Sequence, residues 1–414
     1  MSPADYNPFW VAMGLTAMRS QRHHSRLLRS PFSRLGNCVS VISLLLVCAV
    51  CWAPRALAQQ DEWTGVQRIV AVGDVHGDYQ QFVALLRQAK LIDPRNRWIG
   101  GATHLVQLGD VPDRGTETRK SIELLMSLEK EAAKAGGHVH ALIGNHEAMN
   151  MYGDLRYVPP KEFEAYRTRN SEELRQYYYE QEIESAKKSA ASEEPPKFDD
   201  QYKKDWESKH PLGFIEQRQA FNSQGRYGKW ILGHSAIIKI NDTVFLHGGI
   251  SPKYAASSIQ EINLRVRAEL ADFSKLEGGI VLDDQGPLWY RGLALDDESS
   301  LTSHVEEILE HYGARRIVLG HTVTQGTVIP RFQGKVLLAD AGLTAVYGAR
   351  LACLILEGDA AYVLHRGKQF PIPTDSGPPF LQYLKQAAAL DLSPSPLQNL
   401  IHQTEEQTAV PAAR

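Results

Sequence analysis

The sequence predicts a layered α/β fold, and three observations carry that prediction. From Gln67 to Gly144 one pattern repeats: an apolar, β-branched run, a polar loop, then a helical stretch. The loops themselves are alike: Gly73-Asp74-Val75-His76-Gly77, Gly109-Asp110-Val111-Pro112-Asp113-Arg114-Gly115 and Gly144-Asn145-His146-Glu147. Two later apolar runs also end in glycine and histidine, at Leu246-His247-Gly248-Gly249 and Leu319-Gly320-His321-Thr322. A strand that stops in such a loop turns its polar side chains out at its carboxyl end, where open α/β sheets place their ligands.

The elements follow in order. Arg68–Val72, His104–Leu108 and His138–Ile143 read as strands. Between them, Asp78–Ala89 puts Phe82, Leu85 and Leu86 on one helical face. Thr116–Ala135 reads as a long helix, capped by Thr116 or Thr118 and ended by Gly136-Gly137. Residues 148–231 break the pattern and read as a helical insertion. Tyr157–Glu184 is helical, and Lys187–Asp200, with Ser-Glu-Glu-Pro-Pro, is a loop. The insertion either sits over the ligand edge or is a solvated decoration. Strands return at Ser235–Ile240 and Thr243–Leu246, joined by the hairpin pair Asn241-Asp242. Ser258–Leu270 and Leu301–Tyr312 are amphipathic helices. Arg316–Leu319, Lys335–Leu338, Arg350–Leu356 and Ala361–Leu364 are further strands. From about Pro371 the chain, rich in proline and glutamine, reads as a peripheral strap and a loose tail over 371–414.

The chain has 414 residues, 43% hydrophobic and 22% charged, the balance of a globular protein. Its net charge of -3 is uneven. Residues 1–58 hold six arginines and one acid, a net +5, which leaves -8 on the remainder. An acidic body argues against nucleic acid as a partner, because phosphate backbones need a basic footprint.

Residues 1–58 read as a leader. An arginine-rich stretch precedes the apolar run Val39–Ala53 and the small-residue site Ala56-Leu57-Ala58. The run is short for a membrane span. We therefore expect export to the periplasm with cleavage after Ala58, and no stable span in the mature chain of 59–414. The leader is long, and a start at Met13 or Met18 would bring it nearer the usual length. A transit peptide and an uncleaved anchor are the alternatives. Three of the four cysteines lie in this segment; Cys353, in an apolar strand, reads as a buried and inert thiol.

Asp74, His76, Asp110, Asn145, His247 and His321 all fall at strand ends, a nitrogen and oxygen donor set suited to a pair of first-row divalent metals. Taken with Asp113-Arg114, His146-Glu147 and their spacing, these motifs resemble the metallophosphoesterase superfamily in its phosphoprotein phosphatase branch. Within that branch, Gly144 to Asp154, the long insertion and Gly320-His321-Thr322 are similar to the Shewanella-like protein phosphatases. The resemblance covers about 70–325. Where the eukaryotic serine/threonine enzymes carry a SAPNYC-type motif, this chain has Asp340-Ala341-Gly342-Leu343-Thr344-Ala345. Because of that departure, neither their inhibitor sensitivity nor their serine/threonine specificity carries over from the resemblance.

The resemblance implies a calcineurin-like sandwich of two mixed β-sheets flanked by helices, occupying 59–370. It implies a dinuclear site for Mn, Fe, Zn or Co. Asp74 and His76 would hold one metal, Asn145, His247 and His321 the other, with Asp110 bridging. A water between the cations would attack phosphorus directly. Arg114, Arg291 and Asn145 would bind the phosphate, and His146, oriented by Asp113, would protonate the leaving oxygen. The expected activity is hydrolysis of phosphotyrosine or phosphoserine/threonine in proteins. A phosphatase or pyrophosphohydrolase of small esters or nucleotides is the alternative, and a non-catalytic phosphopeptide-binding scaffold would require a broken ligand set. Tyr152 and Asp154 either line the pocket or begin the insertion. His138, His140 and His234 read as structural, and Tyr177-Tyr178-Tyr179 as a candidate partner surface alongside catalysis.

Overall fold

Arg68–Val72 shows how the layers form: Ile69 and Ala71 enter one buried cluster, Val70 and Val72 another. That is the period-2 alternation of a strand covered on both faces. The computed structural model describes residues 60–189, 197–374 and 376–409. The leader of 1–58 lies outside the described residues, as do 190–196 of the expected loop. From Glu62 onward the described residues belong to one compact unit.

The strands of this unit are β1 (Glu62–Trp63), β2 (Arg68–Val72), β3 (His104–Gln107), β4 (His138–Ala141), β5 (Ile237–Ile240), β6 (Thr243–Leu246), β7 (Arg316–Leu319), β8 (Ile329–Arg331), β9 (Val336–Leu338), β10 (Ala352–Glu357), β11 (Ala360–His365) and β12 (Lys368–Pro371). Its helices are α1 (Tyr79–Gln88), α2 (Thr118–Lys134), α3 (Asn145–Tyr152), α4 (Ser171–Ser189), α5 (Asp200–Lys209), α6 (Phe214–Phe221), α7 (Arg226–Leu232), α8 (Ile259–Ala271), α9 (Gly292–Leu295), α10 (Glu298–Tyr312), α11 (Pro378–Ala388) and α12 (Gln398–Ala409).

The strands build two mixed six-stranded sheets, β1-β5-β6-β7-β9-β8 and β12-β11-β10-β2-β3-β4. β2, β3 and β4 are parallel neighbours, and so are β6, β7 and β9. Ile69, Ala71, Val106 and Leu108 from one sheet share a core with Ile238, Phe245, Val318 and Leu337 from the other. The opposite faces are covered by helices, through Phe82, Leu85 and Leu125 on one side and Ile262, Val266 and Ile308 on the other. The fold is therefore the predicted α/β sandwich of two mixed sheets. Because six strands end at one edge, the loops after β2, β3, β4, β6, β7 and β9 meet there.

Several local expectations change. α2 is not capped by a threonine: its N-cap is Glu117, without a side-chain bond, and the Thr118 N–H donates to Glu162 Oε2 at 3.3 Å. That cap comes from the insertion, so local spacing does not show it. The expected helix of Tyr157–Glu184 is divided, because Pro159-Pro160 opens a separate 3-10 turn over Pro160–Tyr166 before α4 begins. The carboxyl end is not a loose tail. β12 extends a sheet, Pro378 starts α11, and Tyr383, Leu384, Leu397 and Ile401 are buried against the inter-sheet core. Cys353 is fully buried on β10, and burial pushes its thiol up to about 12. Among the described residues no helix is long and apolar enough to cross a membrane.

Candidate active site

Glycines let the loops converge. A Cβ on Gly73 would lie 2.6 Å from Asp340 Cα, and one on Gly144 would lie 2.4 Å from Asp110 Oδ1. Five polar residues of the edge also sit in the left-handed region: His76 (φ 48), Asp110 (φ 59), Asp113 (φ 75), Arg114 (φ 63) and His321 (φ 62). Each such residue costs of order 1–3 kcal/mol, strain that persists only where surrounding contacts impose it. Glu147 supplies much of that constraint. Its buried carboxylate accepts the N–H groups of Asp110, Val111 and Gly144, each at 2.8 Å, and so bolts the second loop to the third. Burial and the neighbouring Asp110 push Glu147 up to about 7.

Around this frame all six predicted metal ligands meet, all at most 5% exposed. Asp74 Oδ2 is 3.7 Å from His76 Nε2, which is 3.9 Å from Asp110 Oδ2. On the other side His247 Nε2 lies 3.2 Å from Asp110 Oδ1 and 2.9 Å from Asn145 Oδ1. Donor atoms of His76, Asp110 and His146 lie within 4.8 Å of one another, and so do those of Asp110, His247 and His321. Asp110 is common to both groups, as a bridging ligand would be. The far nitrogens are engaged by carbonyls: His76 Nδ1 by Pro112 O at 3.0 Å, His247 Nδ1 by Leu108 O at 2.8 Å. Such contacts fix the tautomer that leaves Nε2 free as a donor.

Electrostatics fit cations. Burial pushes Asp74 well above the carboxylate range, and Asp340 and Asp110 beside it add to the shift. Burial opposes the charge of Asp110, but His247 and His146 hold it well below that range. Burial pushes His76 down to about 3, and burial, His247 and Arg291 push His321 down. Asp340, at the end of β9, is 1% exposed, and burial raises it to about 6. Its Oδ1 accepts from Gly342 N–H, while Oδ2 has no hydrogen-bond partner among the described residues. Two buried acids facing each other with an unmatched oxygen are a donor set that suits a divalent metal.

Asp340 is the residue that sequence reasoning missed. In the sequence it stands only as a departure from another motif: the strand before it is expected at Lys335–Leu338, but no glycine–histidine pair marks the loop after it as one that reaches the edge.

The remaining predicted residues surround this cluster. His146 Nδ1 is 2.5 Å from Asp113 Oδ2, and its Nε2 is 3.7 Å from Asp110 Oδ2. Burial works to lower His146, but Asp110 and Asp113 hold it above its ordinary value. Arg114 is half-buried beside them, and its Nε has no hydrogen-bond partner among the described residues. Arg291 donates from Nη1 to His321 O at 2.8 Å and to Thr322 Oγ1 at 3.0 Å, which ties it to the loop after β7. Asp154 pairs with Arg156, and Tyr152 packs against the outer core. The insertion reaches the edge through Tyr157 instead, whose ring lies 4.8 Å from the Arg114 guanidinium carbon. Of the tyrosine run, Tyr177 is 54% exposed while Tyr179 is buried against Trp206. His104, His138 and His140 gather at the amino-terminal edge of β3 and β4, away from these loops.

A two-sheet sandwich with histidine and carboxylate donors bridged by one aspartate, beside an arginine and a histidine–aspartate pair, defines a metal-dependent phosphoesterase. The family model described as Calcineurin-like phosphoesterase matches residues 67–325. An uncharacterised protein of Schizosaccharomyces pombe is 30% identical, over 72% of this chain and 81% of its own length. Shewanella-like protein phosphatase 2 of Arabidopsis thaliana is 29% identical, over 67% of this chain and 72% of its own. The crystal structure of a cold-active protein-tyrosine phosphatase of a psychrophilic Shewanella species superposes with a TM-score of 0.57 at 27% identity, covering 76% of this chain and 83% of that one. The chain belongs to the calcineurin-like phosphoesterase family, and it is a hydrolase of phosphate esters.

Proposed function

We propose that the protein is a phosphomonoesterase acting on phosphorylated side chains of proteins. The observation that carries this reading is the 2.5 Å contact of buried His146 with Asp113, within one of the two buried donor groups that share Asp110. An acid poised beside a metal edge suits cleavage of a monoester, whose leaving oxygen needs a proton. The name of the Arabidopsis relative, a protein phosphatase, supports a phosphoprotein substrate, and the Shewanella structure's name supports phosphotyrosine among them.

Asp74 and His76 would hold one metal, Asn145, His247 and His321 the other, with Asp110 between. Bound there, Mn, Fe, Zn or Co ions supply positive charge to the phosphoryl oxygens and a water of lowered pKa. The protein's own groups do the rest. Arg114 would present its planar fork to phosphate oxygens, Arg291, whose Nη1 is tied to His321 O and Thr322 Oγ1, would add charge and its remaining N–H groups, and Asn145 an amide. His146 gives its Nε2 proton to the leaving oxygen while Asp113 holds Nδ1. Burial of the edge keeps bulk water out and strengthens these contacts.

The test is hydrolysis by the full chain, stripped of metal and resupplied with Mn²⁺, against phosphotyrosine, phosphoserine and phosphothreonine peptides. We expect release that depends on metal and is lost in Asp110→Asn. A metal-loaded protein that releases nothing from any peptide would sink the protein-phosphatase reading in favour of small esters or nucleotides. We also infer export to the periplasm, supported by the composition of residues 1–58; finding the protein only in the cytoplasmic fraction would refute it.

A further inference from the structure

Gln107 is a fully buried amide in an otherwise apolar layer. It ends β3, paired with Val72 on one side and Ala141 on the other. Strand alternation puts it on the face of Leu105, which the helices cover, while Val106 and Leu108 face the core between the sheets. An amide buried there costs free energy unless its polar atoms are bonded. No motif accounts for this residue, and none of the roles assigned above uses it.

Its bonds go to the first two loops of the metal edge. Nε2 donates to Gly109 O at 2.6 Å and to Gly73 O at 3.3 Å, and Oε1 accepts from Gly109 N–H at 3.1 Å. Both amide hydrogens are thereby used, and one side chain holds both backbone polar groups of Gly109. Gly73 and Gly109 immediately precede Asp74 and Asp110. The amide therefore ties two loops together one residue before a candidate ligand in each.

The segment it holds is where the loops cross. Gly109 has φ 92 and Asp110 φ 59, two successive residues in the left-handed region. A Cβ on Gly109 would lie 2.7 Å from Gly144 N and 2.9 Å from His247 Nδ1. Leu108 O, inside the same span, engages His247 Nδ1 at 2.8 Å. Asp110 O accepts from Val75 N–H at 3.0 Å and His76 N–H at 2.9 Å. Glu147 grips this run from Asp110 N–H onward, and Gln107 grips it from the residue before. Strained backbone of this kind persists only where its surroundings impose it.

We propose that Gln107 is a positioning residue whose amide sets the Gly109–Asp110 turn, so that the Asp110 carboxylate serves both metal positions. The proposal rests on the dinuclear reading above and deepens it. Asp110 Oδ1 lies 3.2 Å from His247 Nε2 and Oδ2 lies 3.9 Å from His76 Nε2, so the two oxygens face opposite halves of the site. A turn of the preceding peptide moves both oxygens together. Without the amide, the N–H and C=O of buried Gly109 lose this partner, and the turn relaxes at the expense of one metal position. Leu105, on the same strand and face, packs in the core without touching either loop's polar groups.

The experiment titrates Mn²⁺ into the stripped full chain by calorimetry and records the electron paramagnetic resonance spectrum of the loaded protein. The proteins are the native chain, Gln107→Met, Gln107→Glu and Leu105→Ala. In the native chain we expect two bound ions and the exchange-coupled spectrum of a Mn²⁺ pair. Gln107→Met should bind Mn²⁺ about 10–100-fold more weakly and show uncoupled single ions. Gln107→Glu, which gives up at least one of the two donated bonds, should fall between. Leu105→Ala should melt lower through its cavity and keep both the affinity and the coupled spectrum. If Gln107→Met does not fold, Gln107→Glu decides. A folded Gln107 variant that melts lower but keeps native affinity and coupling would show that the amide only supports the fold, and would overturn the proposal. A native chain that binds fewer than two Mn²⁺ would overturn the dinuclear reading itself.

Discussion

Asp113 Oδ2 lies 2.5 Å from Nδ1 of His146, and Asn150 Nδ2 holds the other oxygen of Asp113 at 2.8 Å. The histidine therefore has one nitrogen committed and the other aimed at the metal edge. If it serves as the acid, its removal should matter most when the leaving group is poor. His146→Asn should lower kcat by about 10²–10⁴-fold on phosphotyrosine. The loss should be much smaller on p-nitrophenyl phosphate, whose leaving oxygen needs little protonation. Equal losses on both esters, measured by steady-state kinetics, would argue that His146 acts as a metal ligand instead.

The contact continues into the insertion. Gln217 on α6 donates from Nε2 to Asn150 Oδ1 at 2.8 Å, and both side chains are buried. Gln217→Leu leaves that buried oxygen without a donor, at a cost of about 1–3 kcal/mol. We expect a lower melting temperature and a fall in kcat smaller than that of His146→Asn, with KM little changed. An unchanged kcat would detach the insertion from the chemistry.

The loops were legible because metal chemistry needs particular residues at strand ends, and glycine must stand where backbones cross. Asp74, His76, Asp110, Asn145, His247 and His321 could be read in this way, and they do meet. What escaped depends on contacts distant in sequence. Glu162 caps α2, Tyr157 and Tyr347 come to Arg114 from different loops, and Asp340, two residues past β9, comes to Asp74 from the far end of the chain. No local periodicity encodes such meetings. The carboxyl helices escaped for a related reason: their apolar face is short, and its partner is a core built by other strands.

Gly144 offers a steric test of the metal edge. A methyl there meets Asp110 Oδ1 at 2.4 Å and Asp110 N at 2.7 Å. Either the carboxylate or the loop must move. Gly144→Ala should keep its circular dichroism and weaken metal binding by about 10–100-fold, the scale of a displaced ligand support. Metal content after dialysis measures this directly; full retention would show that the loop yields without moving Asp110.

The histidines at the opposite edge make stability fall with acid. His140 Nε2 is 3.0 Å from His104 Nδ1, His138 stacks on His140 at 4.2 Å, and Trp63 lies 4.3 Å from His140. Glu129 on α2 faces His138 and works against the lowering, and His234, 3.0 Å from Glu129, adds to it. Burial pushes His104 down to about 4, and His140 and His138 down as well. The unfolded chain thus binds more protons below its ordinary histidine value of about 6.5, so stability is full above that pH and is lost as pH falls toward 4. The slope approaches about 1.4 kcal/mol per pH unit for each such group. Urea melts at pH 7.5, 5.5 and 4.5 should show the decline. In His104→Gln it should be shallower by about one group's share, and an unaltered slope would exclude His104 as a source.

Asp340 should separate metal retention from folding. Its buried carboxyl faces Asp74, and burial raises both groups. With no cation bound, the raised Asp74 shares its proton with Asp340, and the charge that remains on the pair at low dielectric carries a cost that a bound cation would remove. Asp340→Asn deletes one charge and keeps the shape. The stripped variant should therefore melt higher than the stripped native protein, while its metal binding weakens by about tenfold or more. Calorimetry on the stripped proteins and metal titration on the same samples give the two readings. A variant that melts lower and keeps full metal affinity would mean that Asp340 is a hydrogen-bonded structural group whose charge does not act at the metal edge.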